Sequence, residues 1–527
     1  MNIPSLFMIP SAVSSGKVHS VFPNSTDADF DFNRDSSATR VNSQGLIEEV
    51  GYFGSELVTN GSFDADSNWS KGTGWSIANG KASKVAGSAA ELTQASVFPS
   101  GFLSKTFRIT FTLEVTAGSV RLRAGTNSQS YLNSSGTYSY TLTPAGNDQL
   151  KFDANSSFAG SVDNVSCKEV TGDRARLNYE IEGGLVNTKP SLLLEPQSTN
   201  LITYSQDISN SYWSNSNSTS ISNTAIAPDG TLTADELVDN TSNGYHWIYR
   251  PNVQSNARIS FFAKANQLSQ VWVNGGGGSN FAGFDLLNGT ITKQGGTANP
   301  KIEEYKNGWY RCSLTSDNSG VLIATMDNND ETYIGTGKSI YLWGIQAEAL
   351  TYATSYIPTN GSTQTRAAET CNGAGTSYIF ESSEGILYAE IAAIADDSTL
   401  KSVCISDGST ANRVIINYSN ASNRFTVDVR VGGVGQAFMQ TFSFTITDFL
   451  KIALKYKLND FALYINGSEI ATDTSGSVFS AGTLNTLSFD NGAGGEDFYG
   501  KIRDIRVYNT KEMTDSEVDI LLTKITS

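Results

Sequence analysis

Four aromatic residues stand where a chain could hold a sugar. In GYHWIYR, strand alternation puts Tyr245, Trp247 and Tyr249 on one face, with His246 and Arg250 on the other. Trp272, in VWVN, comes just before a run of four glycines, Gly275 to Gly278. Exposed aromatic faces stack on the apolar side of a pyranose, and polar neighbours take its hydroxyls. Tyr245, Trp247, Tyr249 and Trp272 are therefore the candidate glycan-binding residues. Core packing is the competing reading for each of them. For Trp309 in GWYRC and Trp343 in YLWG, core packing is the expectation. Trp213, in SYWSNSN, fits either the core or a domain junction.

Other chemistry finds little material. There is no G-x-S-x-G, no H-E-x-x-H and no Walker A motif. The two histidines, His19 and His246, are far apart and read as structural or surface residues. The glycine run lacks the lysine and helix of a phosphate loop, so it reads as a turn. Cys167, Cys312, Cys371 and Cys404 are scattered, with no C-x-x-C, and are expected to be buried free thiols. MDNNDE (Asp327 to Glu331) and FDNGAGGED (Asp490 to Asp497) offer oxygen ligands of the kind Ca2+ takes, but neither matches an EF-hand. Solvated turns are the simpler reading. No catalytic residue, metal ligand or cofactor is assigned, and the chain is expected not to be an enzyme.

These residues need a scaffold of short strands. The chain has 527 residues, 48 of them glycine and 11 proline, and only 17% are charged. Helical proteins are richer in Ala, Glu, Lys and Leu. At roughly 150 residues per domain, about three or four domains are expected. With 36 basic against 52 acidic side chains, the net charge of −16 argues against nucleic acid or an anionic membrane as partner. The opening MNIPSLFMIPSAVSSGK has no basic start, and Pro4 and Pro10 interrupt its apolar run, so it does not read as an export signal. No apolar run of about 18 residues is present, so membrane insertion is not expected.

Patterns divide the chain into five parts. Residues 1–52 contain alternating Phe30 and Phe32 and a turn at Ser43-Gln44-Gly45; the piece is too small and polar to fold alone. Residues 53–170 alternate cleanly, with Ile109, Phe111 and Leu113 on one face. Residues 171–198 form a connector with turns at Gly183-Gly184 and Pro190 and the apolar run Leu192 to Leu194. Residues 199–368 repeat the order of features of 53–170, which implies a diverged internal repeat. Residues 369–527 contain a strand with Phe461, Leu463 and Ile465 on one face, followed by the hairpin dipeptide Asn466-Gly467. They end in a helix opened by the capping box Thr514-Asp515-Ser516-Glu517, with Val518, Leu521 and Leu522 as its apolar stripe. The expected fold is all-β: tandem antiparallel sandwiches with one short C-terminal helix.

Three resemblances follow. SATRVNSQGLIEEV (Ser37–Val50) and the segment from RLNYEIEGG to SQDISNSYW (Arg176–Trp213) resemble a signature of bacteriophage virion proteins, commonly head- or tail-fibre proteins. Here residues 53–170 separate its halves, which implies that this domain is inserted and that 1–52 and 171–198 pack together. APDGTLTADELV, NGWYRCSLT and YLWGIQAEALTYATSYIPTNGSTQTRAA resemble jelly-roll carbohydrate-binding modules. Residues 56–170 resemble the same fold more loosely. Residues 376–527, above all FYGKIRDIRVYNTKEMTDSEVDIL, are similar to concanavalin A-like lectin/glucanase or laminin-G-type sandwiches. Glucanases of that fold carry E-x-D-x-x-E on one strand. Here Glu390 is followed by Ala392 and Ala393, and Asp504 has no acidic partner at strand spacing. The resemblances imply a fibre or decoration subunit on the exterior of a phage particle, anchored through residues 1–52. Its partners would be other virion proteins, cell-surface glycans and, as in such fibres, two further copies of itself in a homotrimer. A secreted or surface bacterial lectin and a polysaccharide depolymerase are the alternatives.

Overall fold

The computed structural model describes residues 3–172 and 174–527. It is almost entirely antiparallel β-structure, arranged as three sandwiches, with one α-helix at Asp515–Thr526 among the described residues. No helix among them is long and apolar enough to cross a membrane.

The first sandwich is interrupted from the rest by its own two ends. Tyr52–Glu56 leads in and Ala159–Gly172 leads out, paired antiparallel, with Glu56 opposite Lys168. Between them a six-stranded and a five-stranded sheet enclose a core that includes Phe107, Ile109, Phe111, Leu122 and Phe152. The second sandwich packs two six-stranded sheets around Ile248, Ile259, Phe261, Val271, Phe284 and Ile323. The strand orders of the two sandwiches correspond. In one sheet of each, the closing strand (Ala159–Gly172; Ser339–Glu348) lies between the second strand of an early hairpin (Lys81–Lys84; Ala234–Asp239) and a long central strand (Phe107–Ala117; Arg258–Ala265).

The third sandwich draws strands from three distant parts of the chain. Its five-stranded sheet comes from residues 401–488. Its eight-stranded sheet contains Glu384–Ala393, Leu450–Lys457 and Gly500–Asn509, and also Leu6–Met8, Arg176–Asn178 and Ser191–Leu194. Leu6 lies opposite Val507 and Leu192 opposite Ile502. A division of the chain at residue 369 therefore does not follow its hydrogen bonding. The apolar face of Leu6, Met8, Phe30 and Phe32 is too small to exclude water alone, and it shares one core with Leu387, Ile416 and Leu463. The helix covers the outer face of this sheet. That is why all of Phe461–Ile465 is buried: Phe461, Leu463 and Ile465 face the inner core, while Ala462 and Tyr464 meet Val518, Leu521 and Leu522. The capping box forms, with Thr514 and Glu517 satisfying each other's backbone N–H groups. At the hairpin, Asn466 and Gly467 both adopt positive φ (48° and 83°), as a two-residue turn requires.

A charged hub joins the sandwiches. The Val41 N–H donates to Asn178 Oδ1 (2.9 Å), and the Tyr179 N–H to the Val41 carbonyl (3.0 Å). Behind them lie Arg34, Arg176, Glu195, Arg366 and Glu369, none more than 2% exposed. Arg34 reaches Glu369 at 3.0 Å, while Arg176 and Arg366 reach Glu195 at 2.7 and 2.8 Å. Arg176 also donates to Glu369 with both Nε and Nη2. Ile47 carries the hub onto the second sandwich, packing with Phe262, Trp309, Trp343 and Tyr356. Trp309 and Trp343 are buried, as their positions implied, but in this junction rather than between the sheets. Trp213 is buried among the inner residues of the second sandwich.

Candidate functional site

The four candidate aromatics gather on the outer face of one sheet of the second sandwich. Its neighbouring strands are Ser214–Ser216, Trp247–Arg250, Val321–Met326, Gln270–Asn274, Phe281–Asp285 and Thr290–Gly295. Register sets Trp247, Ala324, Trp272, Gly283 and Lys293 in one row, and Tyr249, Leu322, Asn274, Phe281 and Gly295 in the next. The alternate residues, including Ile248, Ile323, Val271 and Phe284, face the core.

The rings form two contacting groups, joined across this face by Leu322, Ala324 and Met326. Trp247 meets Tyr249 edge-on, with centroids 5.8 Å apart. Tyr245 lies 5.6 Å from Trp272, which lies 6.1 Å from Phe281. Tyr245 is 38% exposed, Trp247, Tyr249 and Phe281 are half-buried, and Trp272 is only 6% exposed. Trp272 is thus the floor beneath Tyr245 and Phe281 and not itself an open stacking face. Alternation told which side it faces but not what lies over it. Its indole N–H has no hydrogen-bond partner, and neither has the Thr292 hydroxyl on the same face. The glycines shape this floor. A Cβ on Gly276, whose φ is +78°, would lie 2.2 Å from the Tyr249 ring, and one on Gly320 2.6 Å from it. The glycine run is therefore a bed for Tyr249. Phe281 was not singled out from sequence, although Phe281, Gly283 and Asp285 continue the alternation after that run.

Polar groups rim the layer. Lys293 pairs with Glu331 at 2.6 Å, and Asp317 accepts from the Ser279 and Asn280 N–H groups. Burial raises the Asp317 carboxyl, but these hydrogen bonds outweigh it and hold the group below its ordinary value. What such a surface offers is stacking area with hydrogen-bonding groups around it.

The equivalent face of the first sandwich is entirely different. There the outward positions are Glu91, Arg121, Arg123, Lys151 and Asp153, tied across strands at 2.7–3.1 Å. Two sandwiches of one plan thus present a salt-bridged surface in one case and an aromatic layer in the other.

The remaining candidates fall elsewhere. His246 is fully buried and bonds the Asn217 and Tyr333 carbonyls; His19 bonds Asp29 and Ser14. In the acidic loops, Asp327 lies 3.9 Å from Lys338, and Asp490 accepts from the Gly492 N–H. Among the described residues no group of three or more His, Cys, Asp or Glu side chains is placed to hold a metal ion. Asp504, which has no acidic neighbour along its own strand, lies directly opposite Glu390 on the adjacent one. This carboxylate pair was invisible to spacing along one strand. Burial raises the Asp504 carboxyl, and the guanidinium of Arg506, which grips both its oxygens, opposes that. Glu390 faces Arg503 at 3.9 Å. Arginine occupies both acids, which suits a charge cluster better than a general acid and base.

Comparison with known proteins touches the third sandwich. Residues 392–519 match a family model described as the concanavalin A-like lectin/glucanases superfamily. No curated protein matches the chain. Among solved structures, sheep galectin-11 in complex with glycerol is similar at 8% identity, over 24% of this chain and 86% of that one, with a TM-score of 0.16. The C-terminal sandwich is of the concanavalin A-like type, and the aromatic layer lies outside the matched residues.

Proposed function

We propose that this protein is a structural and adhesive component of the exterior of a bacteriophage particle, a head- or tail-fibre or decoration subunit that binds glycans through its second sandwich. The observation that carries the adhesive part is the contrast between the two related sandwiches. Where the first closes its outer face with salt bridges, the second spends Tyr245, Trp247, Tyr249 and Phe281 on a half-open aromatic surface. Apolar rings left partly exposed on a regular sheet are a cost in water unless something covers them. A pyranose suits this surface, with its apolar side on the rings and its hydroxyls toward Lys293 and Glu331. The virion part is supported by the likeness of Ser37–Val50 and Arg176–Trp213 to virion proteins. In that reading the hub built from these segments is the attachment end, and assembly as a homotrimer follows the same likeness.

Two experiments test the reading. Glycan-array screening of the whole chain, followed by calorimetry on the best ligand, should show binding that Trp247→Ala weakens about tenfold, equivalent to about 1.4 kcal/mol. Arg123→Ala, on the salt-bridged face, should leave it unchanged. Equal effects of the two substitutions would refute the assignment of the face. Immunogold labelling of particles in negative stain tests the location, and particles that carry no label would sink it.

A further inference from the structure

Five arginines among the described residues are at most 6% exposed, and they fall into two groups. Arg34, Arg176 and Arg366 meet Glu195 and Glu369 in the hub. Arg258 and Arg311, 1% and 6% exposed, have no carboxylate within ion-pair distance among the described residues. Arg258 donates to the Asn299 carbonyl (2.7 Å) and the Ser313 and Thr315 hydroxyls, and Arg311 to the Ser260 hydroxyl and the Thr354 carbonyl (2.6 Å). The Nε of each has no partner. Burial of an unpaired charge is expensive, and two of the same sign on adjacent strands are more so. Burial drives the Arg258 guanidinium down to about 10; Arg311 pushes the same way, against Glu303 and Glu348.

Both arginines line one cavity of about 450 Å3 where the second sandwich, the hub and the third sandwich meet. Its wall also carries Tyr305 and Tyr352, two further cations, Lys301 and Lys501, the carboxylates Glu303 and Asp396, and Glu195, which Arg176 and Arg366 already neutralise. A cavity of this size accommodates a small ligand. Guanidinium groups take planar carboxylates and tetrahedral oxyanions through charge-assisted hydrogen bonds.

We propose that this junction cavity is a binding site for a small ligand bearing an oxyanion, such as an acidic monosaccharide, with Arg258 and Arg311 as the residues that recognise its charge. The site is separate from the aromatic face and does not depend on it. The ligand's charge supplies what Glu195 and Glu369 supply to the other three arginines.

The test is calorimetry on the whole chain with sodium glucuronate, sodium sulfate and, as the neutral probe, glucose, all at one ionic strength. Glucuronate should bind saturably and glucose should not. Sulfate binding as well identifies a site for oxyanions in general, and its absence identifies a carboxylate site; both support the proposal. Arg258→Gln and Arg311→Gln, checked for native near-UV circular dichroism, should each weaken glucuronate about tenfold or more. If either variant fails to fold, phenylglyoxal labelling of the unmodified protein decides: glucuronate or sulfate, but not glucose, should protect Arg258 and Arg311. Absence of saturable binding by both anions, unchanged affinity in both variants, or labelling that neither anion slows would each overturn it.

Discussion

Replacing Glu369 by glutamine should loosen the joint between the sandwiches more than any exposed substitution could. Glu369 accepts from Arg34 Nη1 (3.0 Å), from Arg176 Nε (2.9 Å) and Nη2, and from the Glu195 N–H (3.0 Å). Three arginines and two glutamates leave this buried cluster at +1. Glutamine keeps the volume, so no cavity forms. It raises the cluster to +2, and its NH2 group turns a donor toward arginine donors. Breaking a buried ion pair by neutralising one member costs about 3–5 kcal/mol. At about 2–4 °C per kcal/mol for a unit of this size, the transition of the hub and third sandwich should fall by about 6–20 °C. Lys81→Ala is the comparison: the Lys81–Glu114 pair (3.1 Å) is exposed on both sides and is worth less than about 1 kcal/mol. Scanning calorimetry should show the hub transition moving while that of the first sandwich, which has its own core, stays in place. If Glu369→Gln moved no transition further than Lys81→Ala does, the cluster would not be holding the joint.

Three further outcomes are expected. Burial pushes the Glu195 carboxyl up, but Arg366, Arg176 and the Ser355 hydrogen bonds outweigh it and hold the group at about 2, below its ordinary 4.5; its stabilising contribution is thus complete above that ordinary value and lost as pH falls through about 2, and acid unfolding of Glu195→Gln should lack this component. Burial raises the thiols of Cys167 (to about 12), Cys312, Cys371 and Cys404, so a thiol-exchange reagent should find none in the native protein and four after unfolding in guanidinium; a fast-reacting thiol in the native state would contradict the packing. Thr514→Ala removes half of the capping box and should cost about 1 kcal/mol in chemical denaturation, with no loss expected from Thr514→Ser.

Local pattern carried the strands, the Asn466-Gly467 turn and the helix start, because each depends on residues a few positions apart. It could not show that Leu6–Met8 joins Gly500–Asn509, since strand pairing leaves no mark on either strand. The same holds for Glu390 and Asp504, neighbours across a sheet and strangers in sequence. Arg34, Arg176 and Arg366 read as ordinary polar positions in turn-rich segments; only their convergence on Glu195 and Glu369 makes them a buried cluster. At the aromatic face, alternation placed Tyr245, Trp247, Tyr249 and Trp272 on one side. Burial of Trp272 under Tyr245 and Phe281 depended on a neighbouring strand, and so lay beyond it.

The pairing of Leu6–Met8 with Gly500–Asn509 also imposes a schedule. Ser5 and Val507, bonded to each other, are 502 positions apart. At about 5–20 residues per second, a ribosome makes the second strand about 25–100 s after the first. The first two sandwiches can finish folding in that interval, but the third cannot, and its earliest strand, bonded on one edge to Phe22, waits with the edge that will meet Gly500–Asn509 unpaired. Gly500–Asn509 is the clasp that closes the third sandwich around that strand. Synthesis halted shortly before it would leave two folded sandwiches and an open sheet edge, ready to pair with the same edge of another unfinished copy.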